Sequence, residues 1–384
     1  MSNNAETKKV KEPLIRIAAR DPLPFWKSWG IRIIAFLLAF VVYVLVVYAF
    51  TELTPVETFK YIFKGAFGTT PKRLFGEITL WKTIRDIMLL FGVALALTPA
   101  FKMRYWNIGG EGQILIGGLM SIIIMRCVSP YIQDPWLIVV MAVCSALAGA
   151  IWSAIPGIFK ATHNTNETLF TLMMNYIAIQ LVAFINIVWE KKKGSGTLGM
   201  INADTQQGWL PQEFMSKIVG DDGYAFIVLF VVLIAVFMFF YMKRSKHGYE
   251  ISVVGDSHNT ARYAGISVKQ VIIRTAAISG AICGFIGFLI VSGSSHTVSV
   301  DTANSRGFTA IIVAWLGKLN VFYMLLVSAM LVILNNGASE LASKAGLNIS
   351  LSDVLTGVVL FFILASELFV NYKLIFRHSK REEA

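Results

Sequence analysis

The sequence predicts an all-α, polytopic membrane helix bundle of about ten transmembrane segments, one of them short or broken, with both termini cytoplasmic. Three observations carry that prediction. Of the 384 residues, 56% are hydrophobic and only 15% charged, with a mean hydropathy of +0.65; a soluble domain carries roughly 25% charged residues. The apolar residues gather into long runs, which a bilayer selects for and an aqueous core does not. The Lys and Arg residues behind the net charge of +11 fall between those runs. There they orient a chain in a membrane and meet anionic lipid or a partner, which argues against nucleic acid.

Residues 1–29 are basic and polar, and the apolar run after them is too long for a cleaved leader, so they read as a cytoplasmic tail. Pro24, Phe25 and Trp26 form an interfacial stretch within it. A helix needs about 20 apolar residues to cross the hydrocarbon core. The predicted spans are 30–50, 83–101, 112–128, 136–159, 168–189, 224–242, 271–292, a short 308–316, 321–335 and 351–370. Together they make a membrane domain over 30–370, followed by a second cytoplasmic tail, 371–384.

Between the sixth and seventh spans, 243–270 carries Lys243, Arg244, Lys246, Arg262 and Lys269. That density places it in the cytoplasm. The seven Lys and Arg up to Arg32, and Lys373, Arg377, Lys380 and Arg381 at the other end, fall inside only if the number of crossings is even. Parity therefore makes 308–316 a true crossing that turns at Gly317, Lys318, Leu319 and Asn320. Non-helical backbone at that depth is tolerated only beside protein or a watery cavity, so a broken segment points to a transport path. Lys191, Lys192 and Lys193 run against the charge rule, in a long outer loop where it is weaker.

Within the spans, Ser145, Gly149, Ser153 and Gly157 recur every four residues, and Gly280, Gly284 and Gly287 follow a similar spacing. Such stripes let helix backbones approach closely. Cys127, Cys144 and Cys283 form no CxxC pair and read as small packing residues.

Catalytic constellations are missing from the sequence. It holds no HExxH, no GxSxG and no GxxxxGK[ST]; Gly317 and Lys318 come nearest to the last, with Leu319 where Ser or Thr belongs. No catalytic residue, metal site or cofactor is implied, and any ATP that drives this chain is hydrolysed by another subunit. Asp86, Glu111, Glu167, Asp353 and Glu367 sit toward the ends of spans, unlike the mid-span carboxylates of proton-coupled carriers. The polar residues at mid-span are Asn175 and Gln180. Two readings fit these amides: hydrogen bonding to a polar, uncharged solute, or bonding to a neighbouring helix.

In the cytoplasmic loop, Asp256 or Ser257 is placed to cap a short helix beginning near His258, and Gly265 to end it. A short helix of mostly small residues between two spans has the shape to enter a partner's groove, although a solvated loop helix fits the same pattern.

The stretch 254–266 resembles the coupling-helix segment of ABC importer permeases of the simple-sugar and nucleoside type, relatives of ribose and branched-chain amino-acid permeases. Their common form is close to V-G-E-N-P-x-A-A-R-Y-A-G-I. This sequence keeps Gly255, Ala261, Arg262, Tyr263, Ala264, Gly265 and Ile266, has Asp256 for Glu, and departs at Ser257 and His258. Three more segments resemble the family in order: Asn107-Ile-Gly-Gly-Glu111-Gly112-Gln113; Asn166-Glu167-Thr168 through Asn175-Tyr176-Ile177-Ala178; and Gly307-Phe308-Thr309-Ala310-Ile311 through Leu316-Gly317-Lys318-Leu319-Asn320.

The resemblance implies two permeases, alike or paralogous, docked on cytoplasmic ATP-binding subunits in a prokaryotic plasma membrane, with an extracellular solute-binding lipoprotein feeding them. It implies a nucleoside as the solute, with a ribose-like sugar as the alternative. Gly255, Asp256, Ala261, Arg262, Tyr263, Ala264 and Gly265 would then serve ATPase coupling. Asn107, Glu111, Gln113, Asn175 and Phe308 would lie along the solute's path, or, for the residues near Glu111, cap and pack the third span. The rival class is a stand-alone secondary transporter or channel.

Overall fold

In hydrocarbon a backbone finds no water to pair with, so apolar runs of this length fold as helices that satisfy themselves. A computed structural model of the chain describes residues 15–21, 23–51, 53–68, 78–211, 224–344, 346 and 350–376. Much of both predicted tails (1–14 and 377–384) and parts of the outer loops (69–77 and 212–223) lie outside the described residues. The helices are α1 (Phe25–Phe50), α2 (Pro55–Phe67), α3 (Ile78–Lys102), α4 (Gly110–Cys127), α5 (Trp136–His163), α6 (Glu167–Val188) and α7 (Ala225–Arg244). They continue with α8 (Lys246–Asp256), α9 (His258–Tyr263), α10 (Val268–Ile290), α11 (Arg306–Leu316), α12 (Val321–Lys344) and α13 (Ser350–Asn371). Every predicted span falls on one of them. Among the described residues, eight helices are long and apolar enough to cross a membrane, and the helix over 306–316 is one of two shorter apolar ones.

The chain divides into two compact units, residues 1–62 with 337–384 and residues 63–336. In the first unit α1 packs on α13, and Arg32 reaches Glu367 at 2.7 Å. The opening of α2 lies in this unit and was not anticipated, although Thr54 and Glu57 spell a capping box. Their reciprocal bonds, Thr54 N–H to Glu57 Oε2 at 2.9 Å and Glu57 N–H to Thr54 Oγ1 at 3.4 Å, are present.

The all-α expectation needs one amendment in this unit. Ile15–Ala19 (β1) and Tyr372–Phe376 (β2) pair as an antiparallel ribbon, with Ile15 opposite Phe376 and Ala19 opposite Tyr372. Both segments lie in what reads from sequence as tail. Each is only five residues long, and their pairing across the whole chain leaves no local signal. The ribbon brings the start of α1 and the end of α13 together, an arrangement that an even number of crossings permits.

The second unit is built around α3, α4 and α10, whose apolar windows are mostly buried, whereas α5, α6 and α7 bury only about a quarter of theirs and turn the rest outward. Its tightest seam joins α5 to α10. A side chain at Gly149 would strike the Gly280 carbonyl, one at Gly284 the Ser145 carbonyl, and one at Gly157 the Ala276 methyl. The two stripes of small residues pack against each other. Gly287 in turn lies against the Ile114 carbonyl of α4, so α10 is clasped on two sides.

After α10 the chain makes a π-helical turn, Val291–Ser295. It then runs without regular helix to α11, with His296, Asn304 and Ser305 at positive φ. At about 1.5 Å per residue, the 11 residues of α11 cover about half the hydrocarbon core. The helix stops at Gly317, and Lys318 and Leu319 adopt left-handed φ values before α12 begins. The segment expected to be short or broken is thus a half-length helix, and it turns at the expected residues.

Candidate functional site: a pinned half-helix and an exposed short helix

The backbone of 103–109 breaks off after α3 and must find hydrogen-bond partners before α4 starts. Buried side chains supply them. Asn107 accepts from Gly109 N–H at 3.0 Å and donates to Ser279 Oγ at 3.1 Å. The Gln113 amide donates to Asn107 Oδ1 and to Ser153 Oγ, both at 3.1 Å. Asn175 of α6 accepts from Gly112 N–H at 2.8 Å and donates to the Ile108 carbonyl at 2.9 Å. Thr171 Oγ1 accepts from Ile108 N–H at 3.2 Å.

Three predicted residues thus form one buried network that locks the loop before α4 to α5, α6 and α10. Ser153, Ser279 and Thr171 belong to it as well. Sequence reasoning took Ser153 for a packing residue and passed over the other two. Thr171 lies in the matched 166–178 stretch, four residues before Asn175 and so on the same helix face, a signal that was there to read. The Gln113 Oε1 atom is buried with no protein partner among the described residues.

Glu111 has a different task. Its carboxylate accepts from Ser305 N–H at 2.9 Å and Gly307 N–H at 2.8 Å, so a side chain of α4 caps the start of the half-helix α11. An acidic group at a helix N-terminus is electrostatically favoured. A side chain at Gly307 would collide with the Glu111 backbone, which is why the two elements meet there. Beside this contact Arg306 Nη2 binds Asp86 Oδ1 at 2.8 Å, and Arg85 shares the same carboxylate. Phe308 lies on the outward side of α11, 39% exposed. Two turns along the same face of α11, Trp315 stacks on Trp106 with centroids 5.2 Å apart.

At the other predicted site, Ser257 is the cap: its side chain accepts from Thr260 N–H at 3.3 Å at the start of α9. Gly265 ends the segment at a φ of +74°. Ala261 alone of α9 is buried. Asp256, Arg262, Tyr263, Ala264 and Gly265 are exposed, and Tyr263 reaches 93%. The aromatic ring is thus held almost wholly clear of its own chain, on a short capped helix.

Gly255 closes the other end of this device. It is buried against the Lys102 carbonyl at the end of α3, with no room for a side chain. Around it Met103, Tyr105, Ile251, Val254, Ala261 and Val271 form one apolar cluster. Burial raises the Tyr105 hydroxyl well above the usual tyrosine range, with Glu167 adding to the shift. Packed side chains and a backbone contact thus join α8 and α9 to α3 and α10.

Beyond α10, the loop 201–210 packs on the turn over 292–296. Ile201 N–H donates to the His296 carbonyl at 3.0 Å, Leu210 N–H to the Ser292 carbonyl at 2.9 Å, and the Trp209 ring stacks on His296 at 3.6 Å. Desolvation pushes the His296 imidazole down to about 4. Among the described residues no group of three or more His, Cys, Asp or Glu is placed to hold a metal ion.

Comparison with known proteins joins these features to a family. The chain is 29% identical over 299 residues to the guanosine ABC transporter permease protein of Bacillus subtilis, covering 76% of this chain and 83% of that one. It is 26% identical to the nucleoside ABC transporter permease protein of Lactococcus lactis subsp. cremoris, covering 87% and 90%. It is 24% identical to the glucose ABC transporter permease protein of Haloferax volcanii, covering 94% and 93%. No solved structure matches. Residues 79–364 match the family described as the branched-chain amino acid transport system / permease component. The match takes in the pinned half-helix and the exposed α9 alike: this chain belongs to that permease family.

Proposed function

We propose that this chain is the membrane-spanning permease subunit of an ABC importer and that its solute is a nucleoside. The observation that carries the permease reading is the coupling device: an exposed, capped α9 presenting Tyr263, backed by Gly255 against α3. Cytoplasmic ATP-binding subunits receive α9, with Arg262 and Tyr263 making the contact and Asp256, Ala261, Ala264 and Gly265 shaping it. Their closure moves α3 and α10 and thereby switches the side to which the path opens. The path runs beside α11. Phe308 faces it, while Asn107, Glu111, Gln113 and Asn175 hold the broken backbone that borders it. A second permease, alike or paralogous, supplies the other wall, and an extracellular solute-binding lipoprotein docks on the outer loops.

Nucleoside is preferred to sugar because two of the relatives above are permeases for a nucleoside, at 29% and 26% identity. The sugar reading keeps one specific support, the glucose permease aligned along 94% of this chain. A panel of nucleosides and hexoses, titrated against the solute-binding partner and then used to stimulate ATP hydrolysis by the assembled complex, decides between them. Micromolar stimulation by hexoses with none by nucleosides would reverse the assignment. For the coupling role, Tyr263→Ala is expected to cut solute-stimulated hydrolysis by about tenfold or more, as loss of a buried aromatic anchor does, with the complex still assembled. Full stimulation in that variant would refute the docking surface.

A further inference from the structure

We propose that the second unit carries a binding site for one anionic phospholipid of the cytoplasmic leaflet, between the ends of α3 and α7 and the α11–α12 turn. A pocket of about 380 Å³ lies there, within the range of sites that hold small molecules. Its body is apolar, formed by Leu95, Met238, Met242, Leu319 and Phe322. Thr98, the hydroxyl facing that body, is already spent on the Ala94 carbonyl at 2.9 Å and on Met324 Sδ. Asn320, also on the lining, is exposed and its Oδ1 accepts from Phe322 N–H at 3.0 Å.

The rim is the opposite. Lys102, Lys243 and Lys318 come from three separate elements and meet at this one pocket. All three are exposed, and among the described residues none has an ion-pair partner and no carboxylate lines the pocket. Lys243 Nζ sits 4.4 Å from the centroid of the Phe239 ring, another lining residue, which holds that ammonium beside the pocket. The first turn of α12 also lines it at Val321 and Phe322, and a helix N-terminus favours an anion.

An apolar slot with a basic rim fits an amphiphile: a fatty chain inside and a phosphate headgroup between the lysines. Basic pockets between spans on the cytoplasmic side are sites for anionic headgroups. The sequence puts this end of α3 and α7 on the cytoplasmic side, level with the basic loop that carries α9. The choice of side rests on that orientation, and so on the reading above. The site is positioned to matter for transport, because Lys102, whose side chain is on the rim, uses its carbonyl to back Gly255.

The test takes the assembled transporter from bilayers containing equal parts phosphatidylglycerol and phosphatidylcholine, and counts retained lipids by native mass spectrometry. The triple variant K102Q, K243Q, K318N is expected to retain phosphatidylglycerol about tenfold less well, at a cost spread over three headgroup contacts, with phosphatidylcholine unchanged. Asn is chosen at 318 because it tolerates the left-handed backbone there. Replacing Lys191, Lys192 and Lys193 by Gln should change nothing. Should the triple variant fail to assemble, K318N alone must still lower phosphatidylglycerol retention.

Equal retention by the lysine variants overturns the proposal. So does displacement of the lipid by inorganic phosphate, which would make this a site for a soluble phosphate. Retention by the isolated chain but not by the complex also overturns it, since a partner subunit would then fill the pocket. Lipid counts do not depend on substrate or ATP, so this failure is separate from a failure of the transport assignment.

Discussion

Glu111 is the residue through which α4 caps the half-helix α11. Two backbone N–H groups, of Ser305 and Gly307, are satisfied by this one carboxylate, and a buried donor left unpaired costs about 1–3 kcal/mol. Glu111→Ala is therefore expected to lower the midpoint of thermal unfolding of the purified protein by several degrees, a shift of about 2–4 °C per kcal/mol being usual for larger domains. Glu111→Gln keeps one acceptor oxygen and should fall between the two. Equal stability of all three proteins would mean that the cap contributes nothing.

His296 makes a prediction about pH. Its folded-state value lies near 4, against an ordinary 6.5, so protonation favours the opened form of the 201–210 loop. The contribution is fully present above about pH 6.5 and declines as pH falls from there toward 4, below which it is constant. The protection factors of the Ile201 and Leu210 amides, taken relative to intrinsic exchange at each pH, should fall as pH is lowered through that window. His296→Gln, which cannot titrate, should flatten the response, and an unchanged pH profile in that variant would place the proton elsewhere.

At the scale of elements, the proposed coupling makes α8 and α9 a lever seated on α3 at Gly255. Gly255→Ala would drive a methyl into the Lys102 carbonyl, so α8 must shift away from α3. Solute-stimulated ATP hydrolysis is expected to fall while basal hydrolysis continues; normal stimulation would show that the lever does not act through α3. Ser257→Ala removes the cap of α9, worth about 1 kcal/mol. Ser257→Asp should retain it, and the difference is readable as exchange protection of Thr260 N–H.

Much of this element was legible beforehand, because caps and left-handed glycines are local rules: Ser257 and Gly265 could be placed from their neighbours alone. The half-length of α11 was legible for a different reason, since the apolar run 308–316 is too short for an ordinary span and Gly317 follows it. The small-residue stripes announced close packing, and each turned out to be the other's partner. The amides and hydroxyls around Asn107 were only half legible. Sequence marks Asn107, Gln113 and Asn175 as unusual in apolar surroundings. Which groups they bind depends on contacts such as Asn107 with Ser279, 172 positions apart, and no periodicity encodes those. The tail ribbon was hidden by the same distance.

For the whole molecule, the proposed function makes one demand: energy arrives from ATP-binding subunits outside the chain. A stand-alone carrier would need a switch that its own ion gradient can throw. The carboxylates best placed to serve, Glu111 and Asp86, are instead engaged, the first by two backbone N–H groups and the second by Arg306 and Arg85. Vesicles containing this chain with its second permease but lacking the ATP-binding subunits are therefore expected to take up nucleoside no faster than protein-free vesicles, under any imposed proton or sodium gradient. Adding the ATP-binding subunits, enclosed ATP and the external binding protein should start uptake, and Tyr263→Ala should stop it again. Gradient-driven accumulation in the vesicles without ATPase would overturn the importer reading at its root, whatever α9 was then found to bind.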